Sequence, residues 1–256
     1  MPGRNEIAPG DRVRRVALTM KLLAGTSGFS YTEWKGPFYP SKLPAKDMLR
    51  YYSSRLPAVE INNTFYRLPS ASTLQEWRSQ VPDTFRFAIK AARKITHLKR
   101  LADCDGELRY LLEIVTQLHP CLGSILFQLP PFLRKDLPLL SAFIAQLPDK
   151  LRAAFEFRHD SWFDESVFEL LSARNLALVL SESDDSSAAD LPWTADWAYL
   201  RLRKSEYADS ELDAWLARLR TAGLDEAQVF FKHEDEAVGP RMAEAFLSRY
   251  SGASTS

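Results

Sequence analysis

Ala153-Ala154-Phe155-Glu156-Phe157-Arg158-His159 reads as a buried strand whose alternation sends Phe155 and Phe157 to one side and Glu156 and Arg158 to the other. The pattern recurs in Val59-Glu60-Ile61-Asn62, in Phe85 to Lys90, in Ser124 to Gln128 and in Tyr199-Leu200-Arg201. Each run pairs apolar residues with polar ones that emerge near the strand's end. Repeated strands of this kind predict a barrel with a charged mouth.

Strand-like runs begin near Leu22, Ala58, Phe85, Ser124, Arg152, Leu176, Trp197 and Gln228, and helical periodicity fills most of the intervals. Leu108, Leu111, Leu112 and Val115 recur at helical spacing, as do Leu140, Phe143, Ile144 and Leu147, then Leu212, Trp215, Leu216 and Leu219. Ala243, Phe246, Leu247 and Tyr250 supply the last helix. Ser72 with Gln75, Asp164 and Ser210 are the expected helix starts. Strands alternating with helices imply parallel pairing through helical crossovers. After the sixth strand, residues 181–193 lack helical periodicity, which predicts an irregular crossover that is either a lid or a plain loop. The first turn, Gly25-Thr26-Ser27-Gly28, does not fit the glycine fingerprint of an open dinucleotide-binding sheet. The fold class is therefore α/β, a closed (β/α)₈ TIM-type barrel.

The 256 residues are 46% hydrophobic and 26% charged, the size and composition of one large barrel domain. Residues 20–256 are assigned to that domain. Met1 to Thr19, rich in Pro, Gly and Arg, reads as a disordered leader, with Met20 an alternative translation start. Thirty-three basic residues balance 33 acidic ones, so no net field favours nucleic acid or an anionic membrane. Cys104 and Cys121 build neither a disulfide framework nor a zinc site, which fits the cytoplasm. No apolar run approaches the roughly 20 residues of a membrane span, and no protein partner is predicted.

In a barrel, a charge in mid-strand is tolerable only on the pore side near the open end. That rule sends Glu60, Asn62, Lys90, Gln128, Glu156, Arg158 and Arg201 to the mouth, and leaves Lys232 and His233 as alternatives on strand eight. The cations exceed the carboxylates, which points to an anionic ligand such as a phosphate or carboxylate. The competing reading is a structural network of ion pairs with no ligand.

Aromatic residues crowd the loops at the same end: Phe29, Tyr31, Trp34, Phe38 and Tyr39, then Phe65 and Tyr66, then Trp162 and Phe163. As a group they suit stacking on a base or sugar. No cofactor is assigned and no metal ligands are assigned, because Lys90 and Arg158 oppose a bound cation. A single divalent metal on Glu60, Glu156 and one histidine is the alternative.

Gly25 to Pro40, Val59 to Ser70, Phe85 to Lys90 with Thr96-His97, Gln128-Leu-Pro-Pro131 and Glu156 to Trp162 resemble motifs of the YecE-like domain-of-unknown-function family. Together they cover about Leu22 to Tyr250. The resemblance implies a TIM-type barrel and no established reaction. Where many members carry Arg-His-Gly after the seventh strand and an Asn pair after the eighth, this chain has Arg201-Leu-Arg203 and Lys232-His-Glu234.

The leading expectation is an enzyme acting on an anionic, phosphorylated or nucleic-acid-derived small molecule by acid–base or hydrolytic chemistry. Glu60 and Glu156 are the candidate acid and base. Asn62, Tyr66, Lys90, His97, Gln128, Arg158, His159, Trp162 and Arg201 are the candidate ligand-binding residues. The alternative is a noncatalytic module for nucleic acid or another anion, with phosphate contacts from Lys94, Lys99 and Arg100.

Overall fold

The computed structural model describes residues 20–186, 191–232 and 235–252. Eight parallel strands close on themselves in chain order: β1 (Lys21–Ser27), β2 (Ala58–Ile61), β3 (Arg86–Lys90), β4 (Leu122–Gln128), β5 (Ala153–Glu156), β6 (Ala177–Ser183), β7 (Trp197–Arg203) and β8 (Glu226–Phe231). The first and last are joined along Lys21↔Glu226 to Thr26↔Phe231, so no edge remains open. The expected barrel is the observed one. The proposed leader and His233 lie outside the described residues.

Helices α1 (Met48–Arg55), α2 (Ala71–Ser79), α3 (Asp105–Val115), α4 (Leu137–Ile144), α5 (Glu165–Ser172), α6 (Asp209–Thr221) and α7 (Val238–Gly252) surround the strands. Among the described residues, the β6-to-β7 crossover contains no helix, as its lack of periodicity predicts. No described helix is long and apolar enough to cross a membrane.

Two expected helix starts shift. Ser70 rather than Ser72 caps α2, its Oγ accepting from the Thr73 amide at 3.2 Å. Helix α6 opens one residue before Ser210, and Glu211 reaches back to accept from the Ala208 amide at 2.8 Å. Asp164 caps α5 as expected, accepting from the Ser166 amide. At α2 and α5 the capping residue is the one whose oxygen reaches an unpaired first-turn amide, whereas at α6 a first-turn glutamate reaches back to the amide of the residue before the helix.

The pleat sorts the strands into two apolar layers. Val59, Ile61, Phe87, Ile89, Phe127, Phe155, Leu200 and Leu202 meet the helices. Inside, Ala58, Ala88, Ala154 and Ala177 face the bulk of Leu126, Trp197, Tyr199 and Phe230. The small residues leave room for the large ones, which fills a barrel interior without a channel. At the N-terminal end, Glu226 pairs with Arg152, and Gln228 bonds Ser124 Oγ at 2.7 Å. The pore is thus closed below by a small polar cluster, separated by the inner apolar layer from the polar residues at the top.

The seam between β1 and β2 depends on one glycine. Tyr52, fully buried on α1, donates its hydroxyl to the Ala58 carbonyl at 2.9 Å and accepts from the Thr26 amide at 2.9 Å. A side chain at Gly25 would bring a Cβ to 1.8 Å from the Ala58 oxygen and 3.0 Å from the Tyr52 hydroxyl. Gly36 has a positive φ of 99° but open space around it. Gly25→Ala should therefore cost more than about 3 kcal/mol by forcing the seam apart, whereas Gly36→Ala should cost only about 1 kcal/mol of backbone strain. Thermal unfolding of the two variants checks this; equal losses would refute the close-approach argument.

Candidate functional site

Pore-side residues at the C-terminal ends of the strands form one connected polar cluster, because the same parity that hides Ala58, Ala88, Ala154 and Tyr199 in the barrel carries the next inward residue to the mouth. Glu60 is completely buried. Its Oε1 accepts from Ser27 Oγ at 2.7 Å, Asn62 Nδ2 at 2.8 Å and Arg201 Nη2 at 3.0 Å, and its Oε2 accepts from the Tyr199 hydroxyl at 2.6 Å. Glu156, also buried, accepts through Oε2 from Arg201 Nη1 at 2.6 Å and from Gln128 Nε2 at 2.9 Å. Arg203 stands 3.7 Å from the other oxygen, Oε1, and donates to Ser181 Oγ.

Arg201 thus bridges the two carboxylates on which an acid–base pair was expected. Burial on its own would raise the Glu60 carboxyl; the Arg201 charge and the bonds from Tyr199, Ser27 and Asn62 outweigh it and hold the group below the ordinary carboxylate range. Burial likewise opposes Glu156, and Arg201, Arg203 and Gln128 overcome it in the same direction. A carboxyl kept ionised and accepting four hydrogen bonds has no proton to donate, so Glu60 does not fit the acid role. Among the described residues Glu156 keeps one oxygen, Oε1, without a short hydrogen bond, and that oxygen can accept a proton.

Lys90 is the other chemically distinct group. Its Nζ donates to Gln128 Oε1 at 2.9 Å and sits 4.4 Å from the Phe65 ring centre. Burial first, then the neighbouring Arg201 and Arg158 charges, pull its ammonium down to about 8 against the opposing pull of Glu60 and Glu156. His97 bonds Thr96 Oγ1 at 2.9 Å and meets the Phe65 ring edge-on; burial and the charges of Lys90, Arg93 and Arg158 push it down as well. Arg158 is exposed above Glu156 in the strand pattern, and its charge reaches Lys90, His97 and Arg203. Among the described residues the buried atoms Asn62 Oδ1, Gln80 Oε1 and Arg201 Nε have no hydrogen-bond partner. Beside Asn62 a cleft of about 340 Å³ opens, lined by Gly28, Tyr31, Leu49, Trp77 and Gln80.

The structure gathers Glu60, Asn62, Lys90, Gln128, Glu156, Arg158 and Arg201 as parity predicts, with His97 at their edge. Other expected residues have different roles. Trp162 is fully buried, its ring stacked 4.7 Å from Phe157 and its indole donating to the Leu133 carbonyl at 2.7 Å, so it cannot stack on a ligand. His159 caps the short turn that follows it by accepting from the Ser161 amide at 3.1 Å. Trp34, Phe38 and Tyr39 are buried in the rim, whereas Tyr66 is 82% exposed and Phe163 39%. Of the expected phosphate contacts, Lys94 and Lys99 both pair with Glu107, while Arg100 is exposed. Lys232, just past the end of β8, is exposed.

Ser27, Tyr199 and Arg203 complete the cluster without having been anticipated. Tyr199 and Arg203 share the parity of Arg201, and that was their available signal; an aromatic in a strand otherwise reads as core. Exposed Leu98 and Phe132 join Tyr66 and Phe163 on the loops after β2 to β5. For the metal alternative, the donors do not fit: the two carboxylates share a guanidinium, and no group of three or more His, Cys, Asp or Glu among the described residues could hold an ion.

Residues 23–255 match the family described as protein of unknown function DUF72. The chain is 33% identical over 129 residues to UPF0759 protein YecE of Escherichia coli K12, covering 50% of this chain and 47% of that protein. It is 29% identical over 163 residues to UPF0759 protein YunF of Bacillus subtilis 168, covering 60% and 56%. The matches therefore span about half the length of these relatives. A crystal structure of a DUF72 family protein from Thermotoga maritima superposes with a TM-score of 0.74 at 24% identity, over 92% of this chain and all of that one. Another, from Enterococcus faecalis, gives 0.71 at 16% identity over 90% and 95%. Both show the same fold.

The bridging arginine generates a pH test. In the native protein the depressed Glu60 and Glu156 carboxyls contribute stability above the unfolded value of about 4.5, and that stability is lost as pH falls through their folded values. Arg201→Met leaves two buried carboxylates without their shared cation and should cost about 3–5 kcal/mol at pH 7. Burial then raises both carboxyls, so acidifying the variant from pH 7 to 5 should restore stability. Urea midpoints at the two pH values measure this; a variant that loses stability on acidification would contradict the assignment.

Proposed function

Given that the chain belongs to the DUF72 family of proteins of unknown function, we propose that the barrel mouth binds an anionic small molecule and acts on it by proton transfer. One observation carries the reading: Arg201 and Arg203 balance the charges of Glu60 and Glu156, so among the described residues Lys90 and Arg158 remain as surplus positive charge over a desolvated floor. An anion is the complement of that surplus, and its binding is strengthened where water is excluded. Exposed Arg158, with a planar fork of donors, is the anion-holding residue on this reading.

Asn62 Oδ1 supports a substrate that also carries a hydrogen-bond donor, and the adjoining cleft gives it room. The groups that move protons are Lys90 and the open oxygen of Glu156; Glu60 is a positioning residue that orients Arg201. Tyr66, exposed on the loop after β2, covers an apolar part of the substrate. The nucleic-acid alternative has less support, since Lys94 and Lys99 are already paired. The cytoplasm is the compartment on this reading, where the buried thiols of Cys104 and Cys121 stay reduced.

The test is calorimetric titration of the protein with inorganic phosphate, a sugar phosphate, a nucleoside monophosphate and a short oligonucleotide. We expect at least one small anion to bind and Arg158→Ala to weaken it about tenfold or more, the value of one charge-assisted contact. No small anion bound, or the same affinity in Arg158→Ala, overturns the proposal.

A further inference from the structure

We infer that Lys90 is a nucleophile, forming an iminium with the carbonyl carbon of an anionic aldehyde or ketone held in the mouth. The inference deepens the anion-binding reading and rests on it for the placement of the substrate. Four observations converge on this one side chain.

First, its place is fixed. Lys90 ends β3 with its carbonyl accepting from Thr64 Oγ1 at 2.7 Å, and it follows Ala88 on the pore side. Second, among the described residues its ammonium has no carboxylate within ion-pair distance; its hydrogen bond goes to the neutral amide oxygen of Gln128. An amide oxygen carries no full charge, so it favours the ammonium over the amine less than a carboxylate would. Third, Gln128 cannot turn that oxygen away without cost, because its Nε2 is committed to Glu156 Oε2 at 2.9 Å. Fourth, the Phe65 face 4.4 Å from Nζ limits water on that side and can carry a cation before and after reaction.

Electrostatics points the same way. With the ammonium drawn down to about 8, roughly a tenth of Lys90 is the free amine at pH 7, against about one part in three thousand for an ordinary lysine. In the reaction, the ammonium first gives up one proton, and the amine nitrogen adds to the carbonyl carbon. The carbonyl oxygen takes up a proton to give a carbinolamine, then leaves as water with a second proton. The balance is one ammonium and one carbonyl compound in, one iminium and one water out, with the positive charge kept on nitrogen. The substrate's anion lies against Arg158, and Glu156 Oε1 is the nearby proton acceptor.

Glyoxylate, a small anionic aldehyde, is the probe. Cyanoborohydride delivers hydride to any iminium carbon and leaves a carboxymethyl group on the amine that formed it. After brief treatment of the full chain at pH 7, peptide mass mapping ranks the lysines. We expect Lys90 to be carboxymethylated at least about tenfold faster than the exposed Lys42 and Lys150, and saturating inorganic phosphate to slow it. Phosphate binding is measured separately by calorimetry. If phosphate binds while Lys90 reacts no faster than Lys42 and Lys150, the nucleophile is refuted and the anion site stands. Selective labelling without phosphate binding keeps the nucleophile, and the anion site then falls if the sugar phosphate and the nucleoside monophosphate also fail to bind; neither result removes both.

Discussion

Arg201 lies between two buried carboxylates, 3.0 Å from Glu60 and 2.6 Å from Glu156, and the mouth of the barrel is organised around that contact. Two ionised carboxylates cannot be buried side by side without a cation, because each has lost its water and repels the other. A guanidinium suits the position because its fork addresses both acceptors at once. Tyr199, Ser27, Asn62 and Gln128 then fill most of the remaining lone pairs, so the floor of the site is rigid and ionised. Its upkeep requires the small residues beneath it: Ala58, Ala88 and Ala154 leave the space that Tyr199 occupies to reach Glu60.

That floor dictates what the residues above it can do. Because Arg201 and Arg203 already answer the carboxylates, Lys90 has no acid to pair with among the described residues and rests instead on an amide oxygen and an aromatic face. A cation in such a place is less stable than in water, which is why its ammonium is drawn down. The site therefore offers a titrating amine beside an exposed guanidinium, a different instrument from the pair of carboxylates that the residue types alone suggest. On the proposed reading the reactive group is the lysine, with Glu156 as its proton acceptor.

The pore-facing positions were legible in advance because a strand has a period of two and a buried charge has only one tolerable direction. Val59, Glu60, Ile61 and Asn62 carry that information within four residues. The pairing of Glu60 with Arg201 was not legible, since it joins strands 141 residues apart and depends on how the sheet is staggered as it closes. Tyr199 was hidden for a related reason: its ring belongs to the inner core while its hydroxyl belongs to the site. Trp162 misled in the opposite sense, because a loop aromatic next to a charged strand looks the same in sequence whether it faces a ligand or stacks under the rim on Phe157. The helix starts shifted from Ser72 and Ser210 because Ser70 accepts from the Thr73 amide and Glu211 accepts from the Ala208 amide, contacts that residue type alone does not choose between.

The protonation state of the two bridged carboxyls is the point on which the account turns. Carbon-13 NMR of protein labelled at the glutamate carboxyl carbons, with Glu60→Gln and Glu156→Gln used to assign the two signals, follows each group directly as pH is lowered. Both should remain ionised from pH 7 down past about 4.5, the ordinary value for the side chain, and titrate only below it. A proton taken up by either group between pH 5 and 7 would mean that Arg201 does not hold the pair ionised, and that a carboxylic acid rather than Lys90 is the proton donor of the mouth.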